Sequence, residues 1–176
     1  MDYKVLEDLV NIHSPSGYTT EAIDFLVDYF QDLGFECEVN AKGALKVRLG
    51  KDPKLCIAAH VDTLGAIVSG IKSDGTLSFS SLGGLSLSSA EGEYVDVINL
   101  DGSVVTGTLL LNNPSSHANR DRETKKRDYA NMHIRLDEVV NNKKEVEDLG
   151  VRIGDFICFE PRYREYESGF IKSRFM

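Results

Sequence analysis

The chain has 176 residues, of which 41% are hydrophobic, and a formal net charge of -8. That length suits one domain of ordinary size or one and a half small ones, with enough apolar content for a real core. The acidic balance argues against nucleic-acid binding, because a phosphate-binding surface needs positive potential.

No run approaches the roughly 18 apolar residues that a membrane span requires. The N-terminal "MDYKVLEDLVNIH" lacks a basic leader, so the expected setting is the cytoplasm, with no membrane partner. Cys37, Cys56 and Cys158 have no short spacing and define neither a zinc ribbon nor a disulfide framework. Cys56 and Cys158 lie in apolar runs and read as small core residues.

In chain order, Val5, Leu6, Leu9 and Val10 share one face of a first predicted helix. "HSPSGYT" breaks it at Pro15 and Gly17, with Ser14, Ser16, Thr19 and Thr20 as candidate caps. Ile23, Leu26, Phe30 and Leu33 then mark a second helix that Gly34 stops. "FECEVN" and "ALKVRLG" alternate like strands around Gly43, and "KLCIAA" reads as a strand covered on both faces. This order predicts an α/β beginning.

After Gly65 six short strands are predicted: "AIVSGI", "TLSFSSL", "YVDVINL", "SVVTGTLLL", "MHIRLDE" and "DFICFE". Only "NNKKEVEDLG" interrupts them with a helical pattern. Many closely spaced strands read as a small β-barrel or sandwich, a separate module spanning residues 66 to about 165. "NRDRETKKR", residues 119–127, is locally basic and reads as a solvated loop or helix face rather than a binding patch.

The chemistry is expected where "LCIAAHVDTLG" leaves its strand, since ligands of open α/β sheets bind beyond the strands' carboxyl ends. There His60 offers an imidazole to a divalent metal, and Asp62 can accept its other ring N–H, fixing tautomer and orientation. Gly65 supports a tight turn close by. Taken alone, His-x-Asp after a strand is more often a strand-end hydrogen bond than a metal site. His13 at a helix end, His117 in a polar loop and His133 within a strand read as structural. No nucleophile elbow, phosphate-binding loop or dinucleotide fingerprint is present, and "SLGGLSLSS" lacks the spacing for one.

Six stretches in order, "SPSGYTTEAI", "AAHVDTLGAIV", "GGLSLSSAEGE", "TGTLLLNNPSSH", "KKEVEDLGVRIGDFICF" and "ESGFIKSRF", resemble the N-terminal part of the di-metal aminopeptidases of metallopeptidase family forty-two. The resemblance covers essentially the whole chain. It implies an α/β fold: a zinc-exopeptidase-like α/β/α domain, N-terminal part only, carrying an inserted small β-barrel domain. Residues 1–65 would begin the catalytic domain, 66–165 would serve oligomerisation and gating, and 166–176 would return towards the catalytic domain.

The same resemblance implies two divalent ions, zinc or cobalt, with His60 a metal ligand and Asp62 the catalytic-site carboxylate that tunes it. A metal-bridging water would attack the peptide carbonyl, with a glutamate as general base. Peptide substrates and a homo-oligomer are the implied partners. Two departures stand out. Thr63 replaces a glutamate common in the motif, and the chain stops at Met176, one step before the family's paired aspartates.

Only His60 of the ligand set is then present, whereas catalytic zinc takes about three protein ligands. The chain is therefore expected to be truncated and inactive alone, with self-association or disorder near residues 1–50 and 166–176. The alternative reading is a non-catalytic assembly module built on the β domain.

Overall fold

The computed structural model describes residues 3–174. Phe175 and Met176, the end of the "ESGFIKSRF" resemblance and the expected point of truncation, lie outside the described residues. The fold is α/β with a closed six-stranded barrel. The chain divides into two compact units: Leu64–Glu160, and the segments up to Thr63 and from Pro161 onward.

In the second of these units, α1 (Lys4–Asn11) and α2 (Thr20–Asp32) form as their apolar spacing predicts. Gly34, with φ 82°, ends α2 in the left-handed conformation that a side chain disfavours. Phe30 and Phe35 then meet edge to face at 6.4 Å. The chain continues into β1 (Glu36–Val39), which pairs antiparallel with β2 (Leu45–Arg48).

The run "KLCIAA" departs from expectation. Residues 53–60 form no helix or strand and pair with no strand among the described residues. Leu55 is 79% exposed and Ile57 86% exposed, and Cys56 is exposed rather than a core residue. An apolar run signals a tendency to be buried, but other segments must supply the cover. Here β1 and β2 pair only with each other, as do β9 (Arg164–Glu165) and β10 (Ile171–Lys172).

The barrel is made of β3 (Gly65–Ile71), β4 (Leu77–Leu82), β5 (Tyr94–Ile98), β6 (Val104–Leu111), β7 (Met132–Leu136) and β8 (Phe156–Phe159). Their order around the barrel is β3-β4-β7-β6-β5-β8, with every neighbouring pair antiparallel. Alternation fills the interior: Val105, Leu109 and Leu111 of β6 point inward, as do Val95 and Val97 of β5. Gly107 permits a close crossing, because a Cβ there would meet the Arg135 carbonyl oxygen at 2.7 Å. The Cys158 thiol is buried as expected, and burial followed by the nearby Asp96 charge pushes its pKa up to about 12.

Two short helices lie in the connections, α3 (Leu87–Ala90) and α4 (Lys143–Asp148). The second was legible in "NNKKEVEDLG"; the first was not. Asn142 caps α4 by accepting from the Glu145 backbone N–H at 3.0 Å. Among the described residues no helix is long and apolar enough to cross a membrane.

Candidate functional site

The site is assembled where the irregular segment 53–60 ends against the turn that follows α1. Pro15 and Tyr18 close that turn through a 2.7 Å hydrogen bond from the Tyr18 N–H. Gly17 occupies its third position with φ 95°, the left-handed value such turns require. The turn then grips residues 61–63. Thr63 N–H donates to the Ser14 carbonyl at 2.7 Å, and Pro15 and Thr63 form a parallel bridge. The Ser14 hydroxyl donates to the Val61 carbonyl at 3.0 Å.

Of the four candidate caps, Thr20 is the first residue of α2 and Ser14 and Ser16 turn elsewhere. Thr19 is the N-cap residue of α2 but makes no side-chain cap hydrogen bond. The hydroxyls of Ser14 and Ser16 are directed at Val61 and Asp62 instead. A hydroxyl in a turn has several reachable acceptors, and here tertiary partners win over the local helix end.

His60 and Asp62 come together. The His60 Nδ1 lies 3.0 Å from the Asp62 carbonyl oxygen and 3.1 Å from its Oδ1. A carbonyl can only accept, so in the neutral ring Nδ1 carries the hydrogen and Nε2 the lone pair. The Ser16 hydroxyl donates to Asp62 Oδ2 at 2.5 Å, so both carboxylate oxygens are engaged. The Asp62 carboxyl is held below its ordinary range. The Ser16 hydrogen bond is the largest cause, opposed by partial burial and assisted by the charge and hydrogen bond of His60. The His60 side chain is 85% exposed and that of Asp62 41% exposed.

One imidazole oriented by a carboxylate is how a metal-binding histidine is usually prepared. The orientation fits a divalent cation; the donor count does not. Among the described residues no group of three His, Cys, Asp or Glu side chains could hold a metal ion, and catalytic zinc takes about three protein ligands. The described residues alone therefore do not make up a metal centre.

His117 is exposed. His133 is buried in β7 and hydrogen-bonds Asn112 Oδ1 at 3.0 Å. Burial lowers its pKa, helped by the Lys72 and Arg135 charges and opposed by Asp74. The basic stretch 119–127 forms turns, and two of its cations are occupied. Arg122 and Arg127 bind the two oxygens of Glu91 at 3.0 and 2.8 Å.

The chain is 41% identical over 174 residues to YhfE of Bacillus subtilis (strain 168), which carries only a provisional aminopeptidase name; the match covers 97% of this chain and 50% of that protein. The crystal structure of a TET aminopeptidase from a marine sediment archaeon of the Thaumarchaeota superposes with a TM-score of 0.81 at 27% identity, covering 94% of this chain and 46% of that one. The TET1 peptidase of Pyrococcus horikoshii, described as able to assemble into a tetrahedron or a large octahedral shell, shares the fold. Its TM-score is 0.80 at 24% identity, over 96% of this chain and 49% of that one.

The chain thus spans about half the length of the relatives it matches. The M42 glutamyl aminopeptidase family model matches residues 43–176, a stretch that holds the irregular segment, His60, Asp62 and the whole barrel, and the chain belongs to that family.

Proposed function

We propose that the protein is an aminopeptidase that removes residues from peptide N-termini, with His60 a ligand of one divalent ion, zinc or cobalt, and Asp62 the carboxylate that orients it. The observation that carries this reading is the His60 Nδ1 contact to two of the Asp62 oxygens, the carbonyl and Oδ1, which leaves Nε2 as a donor of electrons. Family membership supports the reaction class.

Because the described residues supply one such nitrogen and no cluster, residues 1–176 by themselves are expected to turn over no substrate. A homo-oligomer is the accompanying proposal, supported by the assemblies named for the Pyrococcus horikoshii relative. A cytoplasmic setting is supported by three cysteines that remain unpaired. Peptides are the partners, and the net charge of -8 disfavours nucleic acid. A second reading, an assembly module, is favoured by a barrel that closes on itself.

The test takes the longest natural form of the protein, loaded with zinc or cobalt, and measures release of N-terminal residues. Release that drops at least about a hundredfold in His60→Ala supports the proposal, in line with the cost of disturbing a metal's ligand shell. No release, or release untouched by that substitution, overturns it. Residues 1–176 assayed in parallel should not exceed their own His60→Ala control.

A further inference from the structure

The geometry of Ser16 is specific to Asp62. Ser16 stands second in the turn Pro15–Tyr18, whose closing hydrogen bond and left-handed Gly17 fix its backbone. Its hydroxyl reaches Asp62 Oδ2 at 2.5 Å, in the short range of charge-assisted O–H···O⁻ bonds. The opposite oxygen, Oδ1, accepts from His60.

The terminal torsion of an aspartate is broad and nearly two-fold, so a carboxylate that is 41% exposed needs a second anchor to keep one oxygen facing a neighbour. Ser14 acts differently, since it holds the backbone through Val61 and Thr63. The turn therefore divides its work. Ser14 sets where the segment ends, and Ser16 addresses only the side chain of Asp62.

We propose that Ser16 is a positioning residue: by anchoring Asp62 Oδ2 it keeps Oδ1 on the His60 Nδ1–H beside the Asp62 carbonyl oxygen, and so strengthens the hold on the tautomer that leaves the Nε2 lone pair available to a divalent cation. The catalytic consequence rests on the reading of His60 as a metal ligand. The positioning itself does not, and it is tested without metal or substrate.

The experiment records the ring-nitrogen spectrum of His60 in the 176-residue chain by two-bond proton–nitrogen NMR, at about pH 8, above the ordinary imidazole range. A His60→Gln variant assigns the signals. The native chain should show the Nδ1–H form predominating. Ser16→Ala should raise the Nε2–H population severalfold, and Ser16→Thr, which retains the hydroxyl, should restore the native pattern. In an Asp62→Ala background the further change Ser16→Ala should leave the ring spectrum unmoved, because a residue acting through another loses its effect when that partner is gone.

A Ser16→Ala spectrum identical to the native one overturns the proposal. So does a Ser16→Thr spectrum that matches Ser16→Ala, or an additive effect in the Asp62→Ala background. Should Ser16→Ala fail to fold, the Ser16→Thr and Asp62→Ala variants decide it: unchanged tautomer in Asp62→Ala also overturns it. If the longest natural form releases no residues from peptides while the tautomer responds as described, the reading of function fails and the role of Ser16 stands.

Discussion

The barrel unit and the α/β unit draw their buried surface from different sources. Among the described residues Ala22 is the one buried hydrophobic side chain of the α/β unit; every other lies between Ala66 and Phe159. The barrel brings all its strand partners within Leu64–Glu160, and each strand is paired on both edges. Among its described residues the α/β unit has two two-stranded sheets, and its apolar run around Leu55 and Ile57 is exposed. Closure removes the edge problem locally; an open α/β layer depends on cover from further elements.

Thiol chemistry gives the largest expected contrast between the two. Cys56, exposed in the α/β unit, should be labelled by a maleimide in the native chain at about pH 8. Cys158, buried with its pKa raised to about 12, should react about a thousandfold more slowly, because the thiolate is the reacting species. Mass spectrometry of quenched time points checks this, and equal rates would break the comparison.

Side-chain truncation sharpens it on the stability scale. Phe159→Ala should cost about 3–5 kcal/mol in urea unfolding, as large-to-small changes in a packed core do. Ile57→Ala should stay within about 0.5 kcal/mol, the usual range for exposed positions. A large loss for Ile57→Ala that grows with protein concentration would instead place that residue in a self-associated interface.

The smallest effect is a pH dependence confined to the barrel. Burial lowers the His133 pKa below its ordinary 6.5, so the unfolded chain binds more protons than the folded one just below that value. The neutral ring's contribution is therefore complete above about pH 6.5 and declines as the pH falls through that value towards the lower folded pKa. Unfolding midpoints across pH 5–8, compared with His133→Gln, check this; a midpoint difference that does not narrow on acidification removes His133 as the cause.

The barrel strands were readable because their signals are local. "SVVTGTLLL" buries Val105, Leu109 and Leu111 on alternate positions, and turns such as "LDGS" bound the runs. Barrel against sandwich was not decidable from periodicity, since the order β3-β4-β7-β6-β5-β8 depends on pairings between distant segments. "KLCIAA" misled for a related reason: composition reports a segment's tendency, not whether cover is at hand.

At the candidate site the His60–Asp62 pair was visible from spacing, and the structure places the two in contact. The contact of Ser16 with Asp62 is not legible in the sequence. Ser16 lies 46 positions from Asp62, and a serine beside a helix start looks like a cap. The combination of two hydroxyls, a proline and a glycine ahead of α2 was the available clue to a tertiary grip.

The bridge at Glu91 carries an asymmetry of its own. Each oxygen of that carboxylate holds a separate guanidinium, Arg122 on one and Arg127 on the other, and Arg127 also binds the carbonyls of Arg122 and Lys125. Loss of either cation leaves the excursion between β6 and β7 moored by its twin. Loss of the single anion removes both ion pairs at once. Variation at Glu91 thus costs this stretch both of its ion pairs, where variation at either arginine costs it one.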